Sequence, residues 1–330
     1  MTHILVDTAN TFFRARHVIR GDTSEKIGMA IHITMNSIKK AWQDFDGKHM
    51  VFCLEGRSWR RDFYEPYKKN RKVAQMAKTV REQEEDEIMF QSYDDMITFL
   101  DEKTNVTLLQ NSEAEADDMI AVFIEAHPND HHIIVSSDSD YFQLISDNVT
   151  MYDGVQNRII TKDGFFKDDK NMTPIKEKKT GEVKEAPDPK WLLFEKCIRG
   201  DTSDNIFSAY PGCRKKGTKN KVGMLEAYAD KDSGGFSWNN FMLQRWTDHN
   251  GEEHTVRDDF ERNVQLIDLT AQPLELKIKF VETIAENSVP KTNTGVGMNF
   301  LKFCGIHDLQ NLAKSPDELA SILNQPYPAE

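Results

Sequence analysis

The fold class this sequence predicts is α/β, a mostly parallel sheet followed by a helical region. Three observations carry the reading. Short apolar runs alternate with helix-period segments through the first half, acidic residues gather where those runs end, and the pattern turns helical from Trp191 onward. Strand His3–Val6 comes first, then a helical region around Ile27–Phe45, then strand His49–Leu54. Residues 56–88 are too polar and charged for core, and their last part, Val80–Ile88, is rich in Glu and predicted helical. A helix around Ile88–Leu100 leads to strand Val106–Leu109, a helix near Glu113–Ala126 and strand His132–Val135. Val149–Tyr152 and Arg158–Thr161 flank Gly154 and read as a hairpin.

Residues 163–190 carry Pro174, Pro187 and Pro189 around a Lys/Glu-rich middle, so 166–190 reads as a linker or an inserted β-ribbon. The expected organisation is an α/β domain over 1–165, with a charged insertion at about 56–90, and a helical domain over 191–330. The tail beyond Ser315 is expected to end in disorder.

At 330 residues the chain is long enough for two domains. Charged residues make up 29% and hydrophobic residues 38%, which suits a water-soluble protein. An acid at position 7 leaves no room for a signal-peptide apolar region. Cys53, Cys197, Cys213 and Cys304 form no C-x-x-C, so neither a disulfide framework nor a zinc ribbon is expected and a reducing cytoplasm fits best.

The net charge of -12 would argue against a nucleic-acid binder if it were evenly spread. It is not. Arg57, Arg60, Arg61, Lys68, Lys69, Arg71 and Lys72 are opposed only by Asp62 and Glu65, and Arg214, Lys215, Lys216, Lys219 and Lys221 form a second cluster. Trp59, Phe63, Tyr64 and Tyr67 interleave with the first cluster, as stacking on single-stranded nucleic acid requires.

Nine carboxylates fall at element boundaries: Asp7, Glu55, Glu115, Asp117, Asp118, Asp138, Asp140, Asp201 and Asp204. In a parallel sheet, strand ends of one polarity line a single crevice. Acids this crowded repel one another, and divalent cations are the simplest remedy. Ser112 with Glu115 fits a helix capping box, but Asp117 and Asp118 on the same turn exceed what capping needs. Asp138-Ser139-Asp140 projects two hard oxygen donors, which suit magnesium or manganese. Gly200 is expected to end the helix Trp191–Arg199, with Asp201 and Asp204 opening a new one. Together these groups suit two ions that clamp the attacking and leaving oxygens of an in-line phosphoryl displacement.

The order of these pieces resembles the flap endonuclease (5'→3' exonuclease) family, in particular its bacteriophage ribonuclease H type members. The resemblance rests on Leu5-Val6-Asp7, Ser58-Trp59-Arg60-Arg61-Asp62-Phe63 and Tyr67-Lys68-Lys69-Asn70-Arg71. It continues in Glu115-Ala116-Asp117-Asp118, Ser137-Asp138-Ser139-Asp140 and Gly200-Asp201-Thr202-Ser203-Asp204-Asn205. It implies a PIN-like (resolvase-like) domain with a helical arch, then a helix–two-turn–helix domain that binds duplex DNA. It also implies metal ligation by the acids, with Glu55 standing where the family has Asp. Lys68 and Arg71 become catalytic residues at the arch base. Arg57, Trp59, Arg60, Arg61, Tyr67, Lys69, Lys215, Lys216 and Lys219 become nucleic-acid contacts. The motif at Pro211–Thr218 lacks the second glycine of the family's potassium-binding G-x-G-x-K.

The implied activity is 5'→3' exonuclease and 5'-flap endonuclease action on DNA or RNA–DNA, with two or more Mg2+ ions that Mn2+ can replace. The implied role is RNA primer removal in phage replication, by a monomer in the host cytoplasm alongside a single-strand-binding protein or polymerase. A PIN-like single-strand ribonuclease is the alternative. A small-molecule phosphatase would have no use for the 57–72 stretch, and a non-catalytic binder no use for the acids.

Overall fold

The computed structural model describes residues 1–15 and 22–328. The chain divides into two compact units, Met1–Ser58 with Lys78–Pro187 and Leu274–Glu330, and Trp59–Ala77 with Asp188–Pro273. No helix among the described residues is long and apolar enough to cross a membrane.

In chain order the first elements are β1 Thr2–Asp7, α1 Thr8–Ala15, α2 Thr23–Asp44, β2 His49–Cys53, α3 Arg60–Phe63, α4 Lys69–Met76 and α5 Val80–Lys103. Then come β3 Thr107–Leu109, α6 Ala116–Ala126, β4 His131–Val135, a 3-10 turn at Ser139–Leu144, β5 Val149–Asp153, β6 Arg158–Thr161 and β7 Gly164–Lys167. The rest is α7 Pro189–Arg199, α8 Met224–Ala229, α9 Phe236–Met242, β8 Arg245–Thr247, β9 Glu253–Thr255 and α10 Val256–Ile267. Helices α11 Leu274–Asn287, α12 Val296–Ile306, α13 Gln310–Ala313 and α14 Pro316–Leu323 close the chain.

The first unit is built on a seven-stranded sheet of order β3-β2-β1-β4-β5-β6-β7, parallel from β3 through β5 and antiparallel at β6 and β7. The chain steps one way from β1 to β2 and β3, then crosses to the other side for β4 and β5. The order therefore reverses beside β1, and the crevice at such a reversal is where open α/β sheets bind ligands. Strand residues of one parity (Ile4, Val6, Met50, Phe52, Ile133, Val135) join a core that includes residues of α2, α5, α12 and α14. A helix, α6, packs against β1 and β2. Near-continuous apolar strands are what a sheet covered on both faces demands.

Two long helices start on local chemistry. Asp22 and Glu25 form a capping box for α2, and Thr79 and Glu82 one for α5. Helix α5 runs unbroken from Val80, so the second half of the charged insertion is the opening of a core helix, and only 59–77 falls in the other unit. Residues 164–187 follow the ribbon alternative, with antiparallel bridges Phe166↔Pro174 and Lys176↔Val183.

The expected boundary at 191 is corrected for residues 274–330, which belong to the sheet unit. So is the disordered tail, because Leu319, Ile322 and Leu323 of α14 enter the main core. Asn105 ties the region together. Its backbone N–H donates to Leu323 O (2.9 Å) and its Nδ2 to Asn324 Oδ1 (3.0 Å) and Asn293 O (3.1 Å).

The second unit holds two small cores, one around Phe194, Ile198, Met224, Phe241 and Val256, the other around Tyr67, Cys197, Ile206, Leu266 and Ile267. The helix expected after Gly200 does not form. Asp201 and Ile206 instead exchange backbone hydrogen bonds of 2.9 and 2.7 Å across a tight loop. Gly200 (φ +75°) is obligatory there, since a Cβ would lie 2.3 Å from Ile206 O.

At the N-terminal ends of the central strands, His49, His3 and His132 stand in register on β2, β1 and β4, all buried. His3 Nδ1 lies 3.0 Å from His49 Nδ1, and the His3 and His132 rings stack with centroids 5.5 Å apart. Burial is the first cause of depression for all three, taking His49 down to about 3 and His132 to about 4. Unfolded imidazoles bind protons below about pH 6.5 while these do not, so their stabilisation is complete above that pH and is lost as pH falls toward 4. Thermal melts in chelator from pH 7 to 5 should show this loss, and His49→Gln should flatten the slope. An unchanged slope in that variant would remove the histidine row as its cause.

Candidate active site

Asp7 closes β1 at the reversal point and is 5% exposed. Ser136 Oγ (3.0 Å) and Tyr141 OH (3.1 Å) donate to its Oδ2, and the Asn10 backbone N–H donates to Oδ1 (3.3 Å). Burial first, then the charges of Glu55 and Asp138, push the Asp7 carboxyl up to about 7 against those hydrogen bonds. Asp138 follows β4, which pairs directly with β1. Its N–H donates to Ser136 Oγ (3.1 Å), and its Oδ1 accepts from the Asp140 N–H (3.0 Å). Asn10 Oδ1 accepts from Ser137 N (3.0 Å) and Oγ (3.2 Å), joining α1 to the same loop.

The second acid group opens α6. Ligand oxygens of Glu115, Asp117 and Asp118 lie within 4.8 Å of one another, with Glu115 and Asp118 buried. The capping box is Glu115 with Asp118, whose Oδ2 accepts from the Glu115 N–H (3.1 Å), rather than Ser112 with Glu115. Ser58 Oγ donates to Glu115 Oε2 (2.8 Å).

Glu55 is drawn to this helix. Its Oε2 accepts from the Ala116 N–H (3.4 Å), while the backbone of Gly56 and Arg57 pairs with the carbonyls of Ala114 (2.8 Å) and Ser112 (2.9 Å). A Cβ at Gly56 would come within 2.0 Å of Asn111 O, so only glycine permits the approach. The two acid groups are neighbours, because Asp7, Asp117, Asp138 and Glu55 all act on the buried Tyr141 hydroxyl and, after desolvation, raise its pKa. Sequence reasoning missed Asn10, Gly56, Ser58, Ser136 and Tyr141. Of these, Ser136, inside the Ser-Ser-Asp-Ser-Asp run, and Ser58, at the head of the Ser58–Phe63 run, carried a local signal.

Asp201 and Asp204 lie in the second unit, each beside cations. Asp201 Oδ2 is 2.7 Å from Lys196 Nζ; burial alone would raise its pKa, but Lys196 and Ser203 hold it below the usual range. Asp204 accepts from Arg71 Nη2 (2.6 Å) and Tyr67 OH (3.1 Å), and Lys68 Nζ stands 3.6 Å away. Lys68 has a left-handed backbone (φ +55°), held by its N–H to Asp204 O (2.8 Å).

Not every expected nucleic-acid contact reaches the surface. Arg57, Arg61, Lys69, Lys215, Lys216 and Lys219 are exposed. Trp59, Arg60 and Tyr67 are buried, which corrects the expectation that their side chains are offered to a strand. Arg60 is turned inward because its Nε donates to Leu266 O (2.8 Å) and its guanidinium lies 4.9 Å from the Trp59 ring.

Residues 2–170 match the model of the 5'-3' exonuclease N-terminal resolvase-like domain. The chain belongs to this family. It is 26% identical over 243 residues to DNA polymerase I of Rhizobium leguminosarum, covering 69% of this chain and 21% of that protein. Over 169 residues it is 27% identical to flap endonuclease Xni of Psychromonas ingrahamii, covering 49% and 60%. Over 130 residues it is 33% identical to ribonuclease H of Enterobacteria phage T4, covering 36% and 41%. The chain thus spans less than two thirds of the length of these relatives. The bacteriophage T5 D15 flap endonuclease, solved with DNA and metal ions, shares the fold at a TM-score of 0.57 and 18% identity, over 97% of this chain and 100% of that one. The T5 D15 protein co-crystallised with metal ions aligns at a TM-score of 0.58 and 19% identity, over 88% and 100%.

The exonuclease-family crevice fits a hard divalent cation, since its donors are carboxylate oxygens and Asp7 is held partly protonated by burial and by its acidic neighbours. Without metal, folding takes up a proton at Asp7 between pH 3.8 and about 7, so its contribution to stability declines as pH rises through that window. A bound cation must displace that proton, so affinity should climb with pH and level off above about 7. The stabilisation of wild type by Mn2+ in thermal melts should accordingly grow from pH 5.5 to 8. Asp7→Asn should melt higher than wild type in chelator at pH 8, yet gain less from Mn2+. Equal Mn2+ shifts at both pH values would contradict the assignment.

Proposed function

We propose that this protein is a divalent-metal-dependent 5'→3' exonuclease and 5'-flap endonuclease, hydrolysing phosphodiester bonds of DNA or RNA–DNA with a free 5' end. The observation that carries the reading is the meeting of Asp7, Glu55, Asp117 and Asp138 around Tyr141 at the sheet's point of reversal. Asp7, Asp138 and Asp140 would hold the ions together with Glu115, Asp117 and Glu55, with Asp118, Asp201 and Asp204 as outer ligands or holders of a more distant ion. Bound Mg2+, or Mn2+ in its place, lowers the pKa of a coordinated water and offsets phosphate charge.

The chain's own residues do the rest. Ser136, Tyr141 and Asn10 orient Asp7, and Ser58 orients Glu115. Lys68 and Arg71 stabilise the charge that develops on the phosphoryl oxygens. The exposed Arg57, Arg61 and Lys69, with Lys215, Lys216 and Lys219, supply sequence-independent phosphate contacts. The biological role we propose is removal of RNA primers in phage replication, by a monomer in the host cytoplasm, alongside a polymerase or single-strand-binding protein.

The test is cleavage of a labelled 5'-flap duplex with Mg2+, Mn2+ or chelator. Cleavage should need the ion, and Asp138→Asn should slow turnover on the order of 100-fold or more while leaving flap affinity nearly unchanged. Lys68→Ala should also lower turnover more than binding. Full activity in chelator, or wild-type rates in Asp138→Asn, would defeat the proposal. Faster cutting of unstructured RNA than of the flap would point to a single-strand ribonuclease.

A further inference from the structure

Strands β8 and β9 form a two-stranded hairpin of three residues each. A hairpin this short is marginal in water without further support. Around its loop, a carboxylate oxygen of Asp248, one of Glu252 and a ring nitrogen of His254 lie within 4.8 Å of one another. Asp248 is held in place, its Oδ1 accepting the backbone N–H groups of Glu252 (2.8 Å) and Asn250 (2.9 Å).

The imidazole is the decisive member. Trp246 stacks on the His254 ring at 4.3 Å with 13° between planes, which fixes the ring's plane. Its Nδ1 stands 3.2 Å from Oδ2 of Asp259, a buried carboxylate whose other oxygen takes Arg262 Nη1 at 2.5 Å. That approach is not aligned as a hydrogen bond, and Asp259 Oδ2 and His254 Nε2 are both buried without a hydrogen-bond partner. A carboxylate beside Nδ1 favours the tautomer with its proton there, leaving a lone pair on Nε2. Metal-ligating imidazoles commonly donate their other ring N–H to a carboxylate, and Asp259 stands within reach of that role. A ring nitrogen of this imidazole thus stands with two carboxylate oxygens, and its Nε2 has no hydrogen-bond partner.

We propose that Asp248, Glu252 and His254 bind a first-row divalent transition ion, with Zn2+ the best chemical fit. Mg2+ and Ca2+ take oxygen ligands, whereas imidazole with carboxylates suits zinc. Zinc bonds to N and O of about 2.0–2.2 Å put tetrahedral donors about 3.3 Å apart. The exposed Glu252 side chain has the freedom to close that gap, and water completes the fourth position. The ion cross-links the end of β8 to β9 and, through His254 and Asp259, to α10. Its role is a staple for the hairpin, apart from the acids of the sheet unit.

The experiment is Zn2+ titration of the full chain in excess Mg2+, read by competition with a chromophoric chelator. A Co2+ titration read by visible absorption runs beside it. Wild type should bind one more equivalent of Zn2+ than Glu252→Gln and than His254→Asn, and Asp138→Asn should keep that equivalent. The Co2+ bands of a four-coordinate site should vanish in Glu252→Gln, a surface change that leaves the ring and Asp259 untouched. Unchanged Zn2+ stoichiometry in both hairpin variants, or loss of the equivalent in Asp138→Asn alone, would overturn the site.

Discussion

Asp7 ends a strand flanked by parallel neighbours on both sides, so its carboxylate cannot turn away from the acids that end or follow those neighbours. Most of the rest of the sheet unit can be understood from that constraint. Ser136, Tyr141 and Asn10 spend their polar groups on Asp7, and Ser58 spends its own on Glu115. These donors fix the carboxylates in position but offset neither the burial of Asp7 nor the repulsion of its neighbours, which is why Asp7 stays partly protonated near neutrality. The free energy held in that crowding is what the proposed divalent cation would recover on binding, which would link metal affinity and folding through the same side chains.

The same three strands carry a second polar row at their other ends, His49, His3 and His132, with apolar residues such as Leu5 between the two rows. The rows respond to pH in opposite senses. Folding around neutral imidazoles is favoured as pH rises, and folding around a protonated Asp7 is disfavoured by the same change. A cation in the acid row removes the second dependence and leaves the first. With the proposed cation bound, the sheet unit would be matched to neutral and alkaline conditions at both ends of its central strands.

Strand positions and the gathering of acids at strand ends were legible because they rest on local signals. An apolar run followed by Asp or Glu marks a buried strand with an acidic end, and the expected ranges for β1, β2, β4 and the β5–β6 hairpin fall within a residue or two of the structure. What escaped depends on partners far along the chain. Helix α14 looks like a proline-bordered tail until Asn105 binds Leu323 O and Asn324. Arg60 reads as a phosphate ligand in a basic run, yet Leu266 O, 206 residues away, turns it inward. Gly56 has no motif; it is needed because Asn111 O passes too close for any Cβ.

The misread segment at Gly200–Asn205 shows how acids differ in kind when their count does not. Asp201 and Asp204 look in sequence like the acids at Asp138 and Asp140. Their neighbours are different: Lys196 holds Asp201, and Arg71, Tyr67 and Lys68 surround Asp204. Lys68 sits in a left-handed conformation that costs a non-glycine residue strain, and it persists because the backbone and side chain of Asp204 hold it. An acid among acids stores repulsion that a metal would relieve. An acid among cations fixes the position of a lysine and an arginine, and its removal would first be felt in where those cations point.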